Sequence, residues 1–183
     1  MKRLVFLFLI IAGFLFSFQT DNIILWAENR KLTWDDFKGK PDTTSPYKAK
    51  TESNFSMQIG TKGMEAIIGM QNCFNKNKSW VKEKNNLLLE HEQTHFDIAE
   101  IWMRKFKQLL QGKTFTVKTF QQELNAMHSE INRGGKEMNA RYDKETEHSV
   151  NQEAQKKWNK RVAEELKSLN AYTSPKVTCK LTK

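Results

Sequence analysis

Apolar side chains recur at helical spacing over the second half of the chain, beginning near residue 85. The first helical segment runs from about Asn85 to a stop signal at Gly112. Spacings of three and four residues place its apolar side chains and two histidines on one helix face. The members of this face are Leu87, His91, His95, Ile98, Trp102, Phe106 and Leu109. The pattern therefore predicts a long helix whose core-facing side carries both histidines.

Two further helices are predicted downstream. The second runs from about Val117 to Arg141, and the pair Gly134-Gly135 predicts that it is kinked or split. The third runs from about Thr146, a residue type favoured at helix N-caps, to Asn170. Its apolar positions repeat every four residues and are Val150, Ala154, Trp158, Val162 and Leu166. Trp102 and Trp158 recur at core spacing, which predicts packing rather than substrate contact.

Residues 22–83 lack long helical periodicity and predict strands joined by turns. Strand signals lie at residues 23–26, 50–59 and 64–74, and a short helical turn is predicted at 32–37. These strands predict a small antiparallel sheet that precedes the helices. The fold class expected from the whole pattern is α+β, with the sheet packed on a helical half.

The first 19 residues have the composition of an export signal. Lys2 and Arg3 precede an apolar run that extends from Leu4 to Phe18, which is short for a membrane-spanning helix. No small-x-small cleavage site follows, so an uncleaved N-terminal anchor is the alternative to a cleaved signal peptide. We therefore expect an exported protein, periplasmic or secreted, in which residues 20–183 form a single domain.

The formal net charge of +9 comes from lysines and arginines that are scattered along the chain. No block of like charges and no nucleic-acid motif is present, so the charge predicts a solvated surface rather than a nucleic-acid site. Peripheral or anchored association with a membrane surface stays open.

Export would also give a role to the two cysteines. In an oxidising compartment, Cys73 and Cys179 are candidates for a disulfide that ties the C-terminal tail to the middle of the domain. The alternative is two unpaired, partly buried thiols. We expect the disulfide.

Residues 91–95 read His91-Glu92-Gln93-Thr94-His95, an H-E-x-x-H pattern within the first predicted helix. Residues four apart project from the same helix face, so the two imidazoles can share a tetrahedral Zn²⁺. The intervening Glu92 is then turned toward the open side of the metal, where it can take a proton from a water molecule. The pattern predicts a zinc-dependent hydrolase with His91 and His95 as metal ligands and Glu92 as the catalytic base.

A catalytic zinc requires a third protein ligand, and several downstream residues could supply it. The candidates are His128, Asp143, Glu145, Glu147, His148 and Glu153. Spacing favours His148 over the acidic group and over His128, without deciding among them. Asp143 could instead orient a ligand imidazole, and Tyr142 could stabilise an oxyanion; the spacing alone leaves both roles open.

Several spaced motifs resemble a bacterial family of unknown function whose members are described as predicted secreted zinc-dependent proteases. The motifs are Trp34-x-x-Phe37-x-Gly39, Ser79-Trp80-Val81, Leu88-Leu89-x-His91-Glu92-Gln93-x-His95-Phe96-Asp97, Tyr142-Asp143-x-x-Thr146-x-His148 and Gln155-x-x-Trp158. This resemblance implies a zincin-like fold, a hydrolytic zinc centre and His148 as the third ligand. Ser149 departs from the pattern, because glycine is expected at that position.

The leading hypothesis is therefore an exported zinc peptidase that acts on a peptide or protein substrate. The alternative is a non-catalytic binding or structural module of the cell envelope that retains the zinc site or only the fold.

Overall fold

The computed structural model describes residues 21–183, and the predicted signal or anchor at residues 1–19 lies outside them. The first half contains β1 (Ile23–Leu25), a 3₁₀ turn (Trp34–Asp36), β2 (Ala49–Lys50), β3 (Ser53–Lys62), β4 (Glu65–Asn75) and β5 (Trp80–Val81). The second half contains α1 (Asn86–Leu110), β6 (Thr114–Thr116), α2 (Phe120–Thr146), α3 (Gln152–Ser168), a 3₁₀ turn (Asn170–Tyr172) and β7 (Lys176–Thr182). The predicted α+β class is confirmed. Within residues 21–183, no helix is both long enough and apolar enough to cross a membrane.

Strand β4 is the centre of the main sheet because it pairs on both of its edges. One edge pairs antiparallel with β3 over residues 65–74 of β4. The other edge pairs antiparallel with β7 over residues 65–69 and with β1 over residues 73–75. Strands β2 and β5 form a separate antiparallel pair.

Two strands that the sequence pattern did not indicate complete the main sheet after the helices. Strand β6 follows α1, strand β7 follows α3, and the two pair in parallel. The antiparallel sheet expected ahead of the helices therefore becomes a mixed sheet closed by the C-terminal segment. The alternation of Val177, Cys179 and Leu181 with polar residues is the period-two signal that identifies β7.

Helix α1 lies between the sheet and the other two helices. Met103, Phe106 and Leu110 pack in one cluster with Ile68 and Met70 of β4. A second cluster joins α1 to the later helices through buried side chains, and its members are Ile98, Ile101, Met138, Tyr142, Trp158, Val162 and Leu169. Each fully buried side chain of this size contributes about 1.5–3 kcal/mol of hydrophobic free energy. This enclosed position brings the polar residues of α1 into the interior as well.

The ends of the helices differ from the prediction at three residues. Leu109 is exposed, and Leu110 completes the core in its place. Helix α3 begins at Gln152 rather than near Thr146, because the side chain of Asn151 caps it by accepting from the backbone N–H of Ala154 at 3.1 Å. Thr146 instead belongs to the last turn of α2.

The predicted split at Gly134-Gly135 is wrong, because α2 continues through both residues, and the alternative of a kink stays a prediction. A Cβ atom added to Gly134 would lie 2.2 Å from the Cη2 atom of Trp102, whereas one added to Gly135 would lie at an ordinary 3.5 Å from that indole. The glycine pair therefore makes room for a tryptophan of α1 and does not interrupt the helix.

The predicted disulfide between Cys73 and Cys179 is wrong, since both thiols are free and buried. Cys179 lies opposite Ala66 in the sheet, seven residues along β4 from Cys73. Seven residues of an antiparallel strand span about 24 Å, and an odd separation also points the two side chains to opposite faces. A disulfide requires Cα atoms less than about 7 Å apart.

The contact between Trp102 and α2 predicts opposite effects for two neighbouring substitutions. Gly134→Ala forces a methyl group into the indole, so we expect a loss of about 1–3 kcal/mol in the free energy of unfolding. Gly135→Ala gains helix propensity without a clash, so we expect no loss and up to about 1 kcal/mol of stabilisation. Urea unfolding of both variants measures the difference. Equal stabilisation by the two alanines would contradict the assigned role of Gly134.

Candidate metal centre

The two histidines of the H-E-x-x-H pattern lie in the second and third turns of α1. The helix starts at a fixed point because the side chain of Asn85 accepts from the backbone N–H of Leu88 at 2.8 Å. Residues His91 and His95 then follow at a spacing of four, and their rings approach edge to face with centroids 4.7 Å apart. The imidazoles converge as the spacing predicted.

Asp143, from the last turn of α2, joins the two imidazoles at one point. The Nε2 atoms of His91 and His95 are 3.2 Å apart, and the Oδ1 atom of Asp143 lies 3.1 Å from the first and 3.0 Å from the second. These residues form a group whose ligand atoms could hold a metal ion. The donors are two imidazole nitrogens and one carboxylate oxygen.

The other nitrogen of each ring is held by a side-chain amide. The Nδ1 atom of His91 lies 3.1 Å from Oε1 of Gln155, and the Nδ1 atom of His95 lies 2.7 Å from Oδ1 of Asn139. Partners of this kind fix the rotation of a ligand imidazole. The amides leave both Nε2 atoms directed at Asp143.

Tyr142 supports the centre from the interior. Its ring stacks on that of His91, with centroids 4.5 Å apart and an interplanar angle of 20°. Its hydroxyl group donates to the backbone carbonyl of His91 at 3.3 Å, and the residue is fully buried. Burial raises the pKa of Tyr142 above its ordinary value, with further contributions from the charges of Glu92 and Asp143. This hydroxyl group is therefore occupied in positioning α1 and does not line the cleft.

The charges of the centre are strongly coupled. Burial by itself lowers the pKa of His95, but its hydrogen bond to Asp143 and the charges of Glu92 and Asp143 outweigh burial and raise that pKa to about 9. Burial raises the pKa of Asp143, but its contacts with the imidazoles of His91 and His95 hold that pKa well below its usual range. Without a metal, His95 and Asp143 are therefore an ion pair at neutral pH.

Glu92 has an unusual environment for a carboxylate. The residue is 3% exposed, and its Oε2 atom has no hydrogen-bond partner within residues 21–183. A buried polar atom of this kind is costly unless it serves a ligand or a reaction. Glu92 shares a cleft of about 870 Å³ with both histidines and Asp143.

The cleft is bounded by three parts of the chain. Its lining residues come from 46–53, which include β2, from the first half of α1, and from the end of α2 with the connection to α3. The connection is strained, because Glu147, His148 and Ser149 have φ values of 48°, 53° and 78°. Non-glycine residues rarely occupy this left-handed region, and such strain concentrates at functional sites. The glycine expected at position 149 is therefore replaced by a serine that adopts a glycine-like conformation.

His148 lies beside the group of three donors. Its Nδ1 atom is 3.7 Å from Oδ1 of Asp143, its side chain is 51% exposed, and its ring packs 4.9 Å from that of Tyr47. Glu147 also lines the cleft. His148 as the third ligand stays a prediction, while the most compact group contains Asp143.

The other candidate ligands point elsewhere. Glu145 accepts from the indole of Trp158 at 2.7 Å, and Glu153 is exposed and pairs with Lys156 at 3.0 Å. His128 packs against Phe106 and precedes Asp143 by 15 residues on α2, which corresponds to about 22 Å along the helix.

Sequence reasoning missed Asn139 and Gln155. Helix α2 was expected to end at Arg141, which hid the fact that Asn139 and Asp143 share one helix face at a spacing of four. Gln155 belongs to a motif quoted for the family resemblance, but its role became visible only from its contact with His91.

Comparisons with known proteins give one match. Residues 73–149 match the model of a family described as a bacterial protein of unknown function, DUF922, which supports the resemblance drawn from the motifs. The matched segment contains His91, Glu92, His95, Asp143 and His148. A search of curated proteins and a search of solved structures each gave no significant match.

The raised pKa of His95 predicts that metal binding releases a proton. At pH 7.5 the metal-free ring is charged, because its pKa is about 9, and a metal ion must displace the proton from Nε2. We expect release of about one proton per Zn²⁺ at pH 7.5, declining as the pH rises through 9. Calorimetric titration with Zn²⁺ in buffers of different ionisation enthalpy measures the number. A binding enthalpy independent of the buffer would contradict the ion pair.

Proposed function

We propose that this protein is an exported zinc-dependent peptidase in which His91, His95 and Asp143 hold the metal and Glu92 is the catalytic base. The observation that carries the proposal is the spacing of the three donor atoms, which lie 3.0, 3.1 and 3.2 Å apart. Export is inferred from the composition of residues 1–19.

The donor set and its spacing fit a zinc ion. Atoms that bind one tetrahedral Zn²⁺ at about 2.0–2.1 Å lie about 3.3 Å from each other. Two imidazole nitrogens and one carboxylate oxygen are a donor set of catalytic zinc sites, which keep the fourth position for water or substrate. With both Nδ1 atoms bound to amides, the lone pairs that remain converge on a single point and favour a cation there.

A bound zinc ion supplies Lewis acidity, which polarises a carbonyl group and lowers the pKa of a water molecule. Glu92 supplies the proton transfer. Its buried Oε2 atom lacks a partner in residues 21–183, so it is free to accept a proton and to return it to the leaving amine. The low-dielectric surroundings strengthen the interaction of this carboxylate with charge in the cleft.

The shape of the cleft supports a peptide substrate. Its volume of about 870 Å³ accommodates several residues of an extended chain. The H-E-x-x-H pattern adds the preference for peptide bonds.

One observation favours the second candidate, a non-catalytic module with a closed metal site. His148 lies next to Asp143, and a small movement of the strained connection would make it a fourth protein ligand. Four protein ligands are typical of structural zinc sites. The Oε2 atom of Glu92, which has no partner within residues 21–183, argues for the enzyme, because a closed structural site has no use for a buried acid.

The choice of the third ligand predicts different losses for two alanine variants. We expect Asp143→Ala to weaken zinc binding by about 100-fold or more and His148→Ala to weaken it by less than about tenfold. Competition with a chromogenic chelator measures both affinities, and His128→Ala provides a histidine control remote from the site. If His148→Ala is as severe as Asp143→Ala, His148 is a ligand, as its spacing predicted.

The role of Glu92 predicts a loss of activity without a loss of metal. Glu92→Gln preserves size and hydrogen-bonding capacity but removes the base, so we expect zinc content to remain stoichiometric and peptide hydrolysis to fall by about 10²–10⁴-fold. Cleavage of a peptide library by the zinc-loaded protein measures the rate. Glu147→Gln is the matched control, since it removes a carboxylate from the same cleft. Equal turnover by Glu92→Gln and the unmodified protein would refute the assignment, and zinc binding without any hydrolysis in the unmodified protein would favour the non-catalytic module.

A further inference from the structure

We propose that Gln155 is a positioning residue of the metal centre, held in one orientation by a hydrogen-bond chain that reaches Glu90 through Asn159. The chain determines which nitrogen of His91 carries the proton and so which nitrogen faces the metal. This inference rests on the metal site of the proposed function and adds to it the device that orients one ligand.

Gln155 is fully buried and its amide is used on both sides. Its Oε1 atom lies 3.1 Å from Nδ1 of His91. Its Nε2 group donates to the hydroxyl oxygen of Tyr142 and, at 2.7 Å, to Oδ1 of Asn159. A side-chain amide has one accepting end and one donating end, so its orientation decides the polarity presented to His91.

Two groups that can only accept hydrogen bonds determine this orientation. The backbone carbonyl of His91 receives the hydroxyl proton of Tyr142, so the oxygen of that hydroxyl group must accept from Gln155. The carboxylate of Glu90 receives the amide of Asn159 at 3.4 Å, so Oδ1 of Asn159 must accept from Gln155 as well. The hydroxyl oxygen of Tyr142 and the Oδ1 atom of Asn159 therefore both require Nε2 of Gln155 to be the donor. Its oxygen therefore faces His91, which must present Nδ1–H and direct the Nε2 lone pair at the metal position.

His95 is oriented in the same way by a shorter series of hydrogen bonds. The amide nitrogen of Asn139 donates to the backbone carbonyl of Gly135 at 3.0 Å, so its oxygen faces Nδ1 of His95. Neutral amides orient both rings without adding negative charge beside Asp143 and Glu92. Such partners of ligand imidazoles change metal affinity by about 10–100-fold when they are removed.

The chain to His91 ends in a second cleft, of about 860 Å³, on a different side of α1. Glu90 and Asn159 both line that cleft, together with Thr94, whose hydroxyl group lies 3.0 Å from Oδ1 of Asn159. A change at the exposed carboxylate of Glu90 is therefore linked to the metal position by three successive side-chain contacts. No other part of the proposed mechanism uses these residues.

The test compares variants of Gln155 in the full-length folded protein. Gln155→Met keeps the side-chain volume and removes the acceptor, Gln155→Glu keeps an acceptor toward His91, and Gln152→Met is a surface control at the start of the same helix. Zinc affinity is measured by chelator competition. Long-range ¹H–¹⁵N correlation spectra of the imidazoles report which nitrogen is protonated, with zinc and without it.

We expect Gln155→Met to lower zinc affinity by about 10–100-fold and to abolish the slowly exchanging Nδ1–H resonance of His91 while that of His95 remains. Thr146, whose hydroxyl oxygen lies 3.5 Å from the same nitrogen, is too distant to replace the amide fully. We expect Gln155→Glu, which keeps the acceptor toward His91 but loses the donor toward Tyr142 and Asn159, to retain the Nδ1–H resonance of His91 and to lose less zinc affinity than Gln155→Met. In Glu90→Gln, the new amide can donate as well as accept, so it no longer fixes the direction of the hydrogen bonds that lead to His91. We expect this variant to lose less zinc affinity than Gln155→Met and to show protons on both Nδ1 and Nε2 of His91 in different molecules.

Unchanged affinity and an unchanged His91 resonance in Gln155→Met would overturn the proposal. Equal losses in Gln155→Met and Gln155→Glu would also overturn it, because they would assign Gln155 a packing role. If the unmodified protein binds no zinc, the proposed function fails, and the spectra of the metal-free protein still decide whether Gln155 places the proton on Nδ1 of His91. If Gln155→Met does not fold, the Glu90→Gln variant tests the proposal instead. An unchanged protonation state of His91 in that variant would refute the hydrogen-bond chain from Glu90 to His91.

Discussion

The burial of helix α1 is the constraint on which the rest of the structure depends. The sheet covers one side of this helix and helices α2 and α3 cover the other, so fourteen of its residues are buried, polar ones included. Polar groups removed from water must be hydrogen-bonded, paired or bound to a metal. Arg104 meets this requirement with Glu100 at 2.9 Å and with the backbone carbonyl of Leu166 at 2.9 Å. The two histidines meet it with amides and with Asp143, while one oxygen of Glu92 does not meet it within residues 21–183.

Helix α2 is shaped to serve that buried helix. Its glycine pair admits the indole of Trp102, which brings the two helices close together. One turn later, the side chains at positions 139, 142, 143 and 146 share a face and all approach the histidines, at the spacing of neighbours on a helix. The same close packing therefore sets both the stability of the helix pair and the position of Asp143. The strained residues 147–149 then turn the chain toward α3 and bring Gln155 behind His91.

Charge balance explains how two carboxylates and two imidazoles can lie close together in this site. Two carboxylates, those of Glu92 and Asp143, lie near two imidazoles in a largely buried site. In the metal-free state the proton retained by His95 offsets part of their charge, which is why its pKa rises to about 9. A divalent cation at the convergence of the three donor atoms would offset more of that charge, and each ring would then be neutral with a single proton on Nδ1. The group of His91, His95 and Asp143 could therefore hold a divalent cation.

The sequence by itself determined the elements whose signals are local. The helical stripe from Leu87 to Phe106, the strand at residues 64–74 and the spacing of His91 and His95 are periodic features, and a period depends only on neighbouring backbone geometry. Only the tertiary structure decided that Cys73 and Cys179 are far apart and that β7 returns to the sheet. It also decided that Gly134 packs against Trp102. The contacts of the histidines with Asp143, Asn139 and Gln155 were decided in the same way. Those outcomes depend on the register between strands and on the rotation of one helix against another. Both are set by the packing of residues that are distant in the chain, so no local pattern records them.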